Sequence, residues 1–411
     1  MRDRIPAGSD ACQNAGRMAS ERIAVGIVGA GPAGLLLGHL LQQAGVDSIT
    51  VEIRSEQHVI ERVRAGVLEQ ATVDLLRDAG VGDRLARESL RHDGVYIAFG
   101  GVRHRIDLAG LTGGRAITVY GQNEVVRDLL AARRRTGGRL MFDAEHVEVS
   151  ELESDRPRLH VRTGGGTETF DCDFLAGCDG FHGICRHAVP ATIARTFERR
   201  YPFAWLGILA RAAPSCRELV YCLHDNGFAL FSMRSPEITR LYLQVAPDEA
   251  IDDWPDDRIW SELRTRLRCV DGWVPESGPI LQKGITGMRS FVVEPMRWRR
   301  LALAGDAAHI VPPTGAKGLN LALADVWRLA RALGECWRTG SDSPLDEYSA
   351  RGLRRAWRAQ RFSYWMTSSL HRAGDQSAFD HRRQRADLEY LVSSSAAATS
   401  FAENYVGFPL D

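Results

Sequence analysis

Long apolar runs are missing from this chain. No stretch of about 18 consecutive apolar residues occurs, which excludes a membrane-spanning helix. A charge of one sign is missing as well: Lys+Arg 52 against Asp+Glu 52 gives a formal net charge of zero, so no chain-wide field points to nucleic acid. Lysine is nearly absent, with Lys283 and Lys317 the only two, a bias that codon usage in a GC-rich genome explains. Cysteine is thin and forms no Cys-x-x-Cys pair, which argues against a disulfide frame and for buried thiols in a reducing, cytoplasmic compartment. Residues 1–20 have no apolar core, so they are expected to be a disordered extension and no signal peptide, with Met18 a candidate start. Internal repeats and long linkers are also lacking. What remains is ordinary: 411 residues, 44% hydrophobic and 25% charged, describe a globular chain long enough for two or three packed domains.

Ile23–Val28 reads as a short buried strand, followed by Gly29-Ala30-Gly31-Pro32-Ala33-Gly34. Leu35 to Ala44 is helical and stops at Gly45, and a second strand near Ser48–Val51 ends on Glu52. In this order the glycines have work to do. Gly29 permits the tight turn, Gly31 lets the backbone approach a pyrophosphate, and Gly34 lets helix and strand pack closely. The helix N-terminus offers unpaired N–H groups to phosphates, and Glu52 can accept hydrogen bonds from ribose hydroxyls. The fingerprint alone leaves NAD and FAD both open.

Two later segments favour a flavin. One is Cys178-Asp179-Gly180-Phe181-His182-Gly183-Ile184-Cys185-Arg186. The other runs from Gly305-Asp306 through Pro312-Pro313-Thr314-Gly315-Ala316-Lys317 to Gly318-Leu319-Asn320, between a strand at Leu301–Ala304 and a helix. Glycines opening that helix expose backbone N–H groups, which suit the flavin N1–C2=O edge that becomes anionic on reduction. Asp306 either reaches ribityl hydroxyls or merely caps a turn.

From about 200 to 295 the pattern becomes β-rich. Asn226-Gly227 is a strong hairpin signal between Leu219–Leu223 and Phe228–Ser232. A two-residue turn there sets Tyr221 opposite Ser232. A five-residue loop at 235–239 then sets Ser232 opposite Tyr242 and Arg234 opposite Arg240. Residues two apart share a face, so Tyr221, Ser232, Arg234, Arg240 and Tyr242 are expected on one surface. Two facing arginines repel unless an anion sits between them, so the cluster reads as a carboxylate receptor with a phenol nearby. A polar solvent face of the sheet is the competing reading.

These segments, with Arg62-Val63-Arg64-Ala65-Gly66-Val67-Leu68-Glu69-Gln70, Tyr120-Gly121-Gln122, Arg289-Ser290-Phe291-Val292-Val293-Glu294-Pro295, Trp365-Met366-Thr367-Ser368 and Glu403-Asn404-Tyr405-Val406-Gly407-Phe408-Pro409, resemble the class A flavoprotein aromatic hydroxylases from about residue 22 to the C-terminus. The resemblance implies an α/β fold: a Rossmann-like FAD-binding domain (21–95, 119–200 and 290–345) interleaved with an antiparallel-sheet substrate domain (96–118 and 201–289), plus C-terminal helices (346–411). It implies hydroxylation of 4-hydroxybenzoate to 3,4-dihydroxybenzoate with O2 and NAD(P)H, by way of a flavin hydroperoxide, in a homodimer.

By the same resemblance FAD is held by Gly29, Gly31, Ala33, Gly34, Glu52, Arg62, Val63, Arg64, Ala65, Gly66, Val67, Gln122, Asp179, Gly180, Asp306, Pro313, Gly318, Leu319 and Asn320. Substrate falls to Tyr221, Ser232, Met233, Arg234, Arg240, Tyr242, Pro313 and Thr314, with the Pro313 carbonyl facing the reacting edge. A proton relay from substrate through Tyr221 and Tyr405 to His92 is implied, His92 exchanging protons near neutral pH. The nicotinamide donor falls to His182, Arg289, Arg64 and Arg54. Ile53 and His58 stand where NADPH-preferring members resemble one another in having Arg and Tyr, and Glu56 would repel a 2′-phosphate, so NADH is a candidate donor beside NADPH. Cys185 departs from the family's serine, at an expected cost of one hydrogen bond.

Three other readings remain at this stage. One is a related ring acid such as 4-aminobenzoate as substrate, and another is a catalytically silent flavin-binding protein. A nucleic-acid role has only the Arg-rich C-terminal helices behind it, where interspersed acids and tryptophans read better as a solvated helix face.

Overall fold

The computed structural model describes residues 20–62 and 66–410. Val63, Arg64 and Ala65, like the N-terminal extension with Met18, lie outside the described residues. Two eight-stranded sheets, a small three-stranded sheet (Val67–Leu68, Ile117–Val119 and Leu90–His92), the helices between them and a set of C-terminal helices make up the described part of the molecule.

The first sheet has a parallel centre, in the order Leu301–Leu303, Gly166–Gly177, Glu21–Val28, Ser48–Val51, Arg139–Met141. Every residue of Ile23–Val28 is buried, with Leu159 of strand Arg158–Thr163 close against Gly26, and a strand buried on both faces reads as an unbroken apolar run. The register aligns the carboxyl ends: Val28 pairs with Val51 and with Gly177, and Gly177 pairs with Leu303. Gly29, Glu52, Cys178-Asp179 and Gly305-Asp306 therefore leave the sheet at one edge, where open parallel sheets bind ligands.

The second sheet is mostly antiparallel, in the order His309–Ile310, Ile280–Glu294, Arg195–Arg211, Ile238–Val245, Ala229–Ser235, Val220–Leu223, Gly94–Phe99, Val102–Asp107. Strands Arg195–Arg211 and Ile280–Glu294 extend past residues 201 and 289, with an irregularity in their pairing between Arg200 and Ala204, and carry the chain between the lobes. Each sheet has its own apolar core, one around Ile27, Leu36 and Leu323 and the other around Tyr221, Phe228 and Leu263.

Helix Gly318–Thr339 lies on the first sheet's side with Val326, Leu329, Ala330 and Leu333 buried, while Trp337 faces solvent. Helices Ser343–Leu370, Ala378–Ser393 and Ser395–Val406 close the molecule and carry Thr367 and Tyr405 inward.

Candidate active site

The cofactor-side edge is built from backbone. Gly29 has φ +102°, and a Cβ there would meet the Cys178 carbonyl oxygen at 2.4 Å; one on Gly34 would meet the Gly29 oxygen at 1.9 Å. At Gly31 the space is open, with nothing within 4 Å. Helix Pro32–Gln43 carries no side-chain cap, so its first N–H groups and dipole face that space. Ala33 is buried behind it.

Glu52 holds the strand end, with Oε2 accepting from Ala30 N and Oε1 from Arg54 N, both at 2.9 Å. Asp179 Oδ2 accepts from Cys185 N at 2.8 Å, and its buried Oδ1 has no partner among the described residues. Burial raises the Asp179 pKa. The Cys185 thiol also donates toward Asp179, which raises its own pKa after the larger effect of burial. The bond expected to be lost with serine is thus replaced.

Helix Gly318–Thr339 has no side-chain cap either, leaving the N–H groups of Gly318, Leu319 and Asn320 as donors. The Asn320 side chain is spent inside the protein. Its Oδ1 accepts from Glu69 N at 2.8 Å and its Nδ2 donates to Val67 O and Ala316 O at 3.0 and 2.8 Å. Only its main chain can serve a flavin. Arg62 ends helix Glu56–Glu61, Gly66 accepts from Tyr120 N, Gln122 opens helix Gln122–Arg135, Gly180 has φ +75° and Asp306 leaves the strand end beside Gly305. An uncapped pair of helix starts, an open Gly31 and an orphaned buried carboxylate oxygen together fit a flavin dinucleotide.

On the second sheet the two hairpins differ from the expected registers. Tyr221 pairs with Leu230, so the connection at His224–Gly227 is four residues long, closed by Gly227 N donating to His224 O at 3.0 Å. His224 Nδ1, accepting from Asn226 N at 3.0 Å, stabilises that longer turn. In the second hairpin Leu230 pairs with Tyr242 and Ser232 with Arg240, and Ser235 with Ile238 closes a tight turn at Pro236-Glu237. The slip of two residues preserves faces, so Tyr221, Leu230, Ser232, Arg240 and Tyr242 still share one surface.

A bulge between Met233 and Ser235 absorbs the difference and falls on Arg234, so Arg234 and Arg240 are not directly opposite. Bulges re-aim side chains. Here the guanidinium turns toward Gly66, where a Cβ would lie 2.8 Å from Nη1.

Arg240 Nε donates to the Tyr242 hydroxyl at 3.2 Å, and its guanidinium occupies room left by Gly207. Among the described residues no carboxylate pairs with Arg240, and its Nη1 is buried without a partner. Burial raises the Tyr242 pKa, but the Arg240 and Arg234 charges outweigh it and the net shift is downward. Burial lowers the Arg234 pKa. Leaving the buried Arg240 Nη1 without an acceptor is costly, and a small carboxylate would relieve it. Ser232 currently donates to Arg240 O at 2.9 Å and must turn to meet a ligand. Met233 is buried behind this face, paired with Thr239.

Tyr221 and Tyr405 hydroxyls lie 2.6 Å apart, both buried, and burial pushes both pKa values above the usual phenol range. His92 is 1% exposed on strand Leu90–His92, and neither ring nitrogen has a hydrogen-bond partner among the described residues. Burial pushes its pKa down to about 4, so it is a neutral imidazole at pH 7 rather than a group titrating there. The structure thus joins Tyr221 to Tyr405 and gives His92 no direct bond to either. Pro313 is exposed, and its carbonyl accepts from Ala316 N at 2.9 Å, leaving one lone pair. Thr314 is fully buried, its hydroxyl 3.0 Å from that of Thr367.

For the nicotinamide donor, Arg289 lies over the Phe181 ring at 4.5 Å and His182 meets the same ring edge-on at 5.1 Å. Arg54 is exposed beside Glu52. Glu56 is paired with Arg134, which weakens the repulsion expected against a 2′-phosphate. Residues that local sequence patterns did not single out include Trp205 and Gly207 beside Tyr242, His371 beside Trp205, and the buried pairs Lys317–Glu69 at 2.6 Å and His309–Asp325 at 2.7 Å. Their partners lie far away in sequence, so no spacing signals them.

The FAD binding domain family model matches residues 22–363. A p-hydroxybenzoate hydroxylase of Acinetobacter baylyi is 47% identical over 394 residues, covering 96% of this chain and 97% of that protein. A dialkyldecalin synthase of Streptomyces rugosporus is 27% identical over 363 residues, covering 86% and 74%. The crystal structure of p-nitrophenol 4-monooxygenase from Pseudomonas putida superposes with a TM-score of 0.79 at 19% identity, covering 94% of this chain and 99% of that one, which shows a shared fold.

Proposed function

This chain belongs to the FAD binding domain family, as a flavin-dependent aromatic hydroxylase, and from that premise we propose that it hydroxylates 4-hydroxybenzoate at the 3-position. FAD is its cofactor and NAD(P)H its co-substrate. The observation that carries the substrate assignment is the single sheet face on which Tyr221, Ser232, Arg240 and Tyr242 converge, with the Arg234 bulge at its end. Arg234 grips the ring carboxylate, with Tyr242 and a reoriented Ser232 as neutral donors.

Bound FAD, once reduced by NAD(P)H, supplies the activation of O2. The protein prepares the ring. Electrophilic attack ortho to the hydroxyl needs the phenolate, so the phenol proton must leave a buried site. Tyr221 accepts it while passing its own proton to Tyr405 across the 2.6 Å contact, and neither tyrosine becomes anionic. From Tyr405 the proton passes by way of water to one ring nitrogen of His92 as the other releases its own, so the neutral imidazole relays it without keeping a charge. Arg289 and His182 face the donor's pyrophosphate. The proposal includes a cytoplasmic homodimer, its location resting on the seven free cysteines among the described residues.

Product analysis tests the reading. The purified yellow protein, given O2, 4-hydroxybenzoate and either nicotinamide, is expected to yield 3,4-dihydroxybenzoate equimolar with the nicotinamide oxidised. Preference for 4-aminobenzoate, or nicotinamide oxidation without hydroxylated product, would overturn it.

A further inference from the structure

His371 has no part in the relay or the cofactor cradle, yet it is 1% exposed and hydrogen-bonded at both ring nitrogens. We propose that His371 is a positioning residue that sets Tyr242 against the two arginines and ties the carboxylate-binding face to the flavin-side loop at Thr314. The proposal rests on the reading of Arg234, Ser232 and Tyr242 as a carboxylate receptor.

The ring's protonation follows from its partners. Trp205 Nε1 lies 2.6 Å from His371 Nε2, and an indole N–H can only donate. Nε2 is therefore the acceptor, and the ring proton sits on Nδ1, which donates to Thr367 O at 2.9 Å. The imidazole is also clamped between Phe203 (centroids 4.6 Å apart, 10° between planes) and Phe228 (4.3 Å, 22°). Gln384 Nε2 holds the His371 carbonyl at 2.8 Å.

From this anchor two paths run to the site. Trp205, fixed by its N–H, lies 4.7 Å from the Tyr242 ring and forms its wall, and the Tyr242 hydroxyl accepts from Arg240. Trp205 and Tyr242 share a face because Trp205 pairs with Gln244 and Gly207 with Tyr242. In the other direction, Thr367 brings its hydroxyl to Thr314, four residues before the uncapped helix start at Gly318. One helix end thus holds both halves of the pocket in register, and a misplacement of this kind is felt in substrate affinity before it is felt in folding.

Two single variants test the link in the holoenzyme. His371→Phe keeps the ring stack and removes both hydrogen bonds, while Trp205→Phe keeps a ring wall and removes the donor. Each is titrated with 4-hydroxybenzoate by flavin absorbance, with flavin content and melting temperature as structural controls. Each is expected to raise Kd and KM about tenfold, the scale of one buried hydrogen bond, with flavin content retained and kcat within about twofold. Adding Tyr242→Phe to either variant is expected to weaken binding no further than Tyr242→Phe alone.

Kd unchanged from the unmutated protein, or full additivity with Tyr242→Phe, would overturn the proposal. If one variant fails to fold, the other reads the same hydrogen bond from its opposite end. An unmutated holoenzyme with no affinity for 4-hydroxybenzoate would overturn the receptor reading and this inference with it, whereas affinity in the unmutated protein with unchanged variants overturns this inference alone.

Discussion

Tyr221 keeps its proton at any working pH, because burial outweighs the hydrogen bond from Tyr405 and pushes the phenol above its usual range. A group that never ionises can relay a proton but cannot store a charge. Tyr221→Phe is therefore expected to leave 4-hydroxybenzoate affinity and flavin reduction near normal and to cut product per nicotinamide oxidised by roughly 10-fold or more, the scale of one lost acid–base partner. Arg234→Gln should act on a different quantity. Losing a charge-assisted pair of about 2–3 kcal/mol raises Kd for the ring acid by roughly 30–160-fold, measured by titration of the flavin spectrum. At this scale the sequence was legible in residue type and illegible in partner. Tyr221, Arg234 and Tyr242 stand out on a β-ribbon, whereas His371 depends on Trp205, 166 residues away, and no periodicity carries such a contact.

At the scale of elements, face was legible and register was not. Side-chain direction alternates every residue, so the shared surface survived a two-residue slip in both hairpins. Turn length depends on finer chemistry: His224 stabilises a four-residue connection, and the tight turn at Pro236-Glu237 is accompanied by a bulge at Arg234. The strand–glycine–helix unit was legible nearly to the residue, since each glycine answers to a steric demand. Gly31 and Gly34 separate binding from folding. Gly31→Ala meets no protein atom within 4 Å, so it is expected to leave the apoprotein's melting temperature unchanged while lowering flavin content. Gly34→Ala drives a methyl to 1.9 Å from the Gly29 oxygen and is expected to lower both. Calorimetry of apoprotein and absorbance of the purified holoenzyme decide between the two.

For the molecule as a whole, the two lobes are joined by two long strands and by a helix that supplies Thr367 to one side and, at its C-cap, the His371 ring between Phe203 and Phe228 to the other. Burial of histidine in this interior contributes to loss of stability in acid. His92, with Glu218 and Asp93 too weak to offset burial, is pushed to about 4, and His371 to about 3. A depressed histidine is protonated in the unfolded chain before the native one. The share of stability these two histidines carry is thus full above about pH 6.5, falls as pH drops toward the native values of about 4 and 3, and levels below them. Melting temperature measured from pH 7 to pH 4 is expected to fall, and His92→Asn to flatten part of that slope; a pH-independent melting temperature over this range would contradict the burial argument.

Rapid-mixing reduction of the oxygen-free yellow holoenzyme by NADH and by NADPH, with and without 4-hydroxybenzoate, bears most directly on whether the Tyr221–Arg234–Tyr242 face receives a ring acid beside the flavin. An acid seated there alters the flavin's surroundings, so the account predicts a perturbed spectrum and faster bleaching when 4-hydroxybenzoate is present, lost in Arg234→Gln. Bleaching at the same rate with and without the acid, over an unperturbed spectrum, would contradict it.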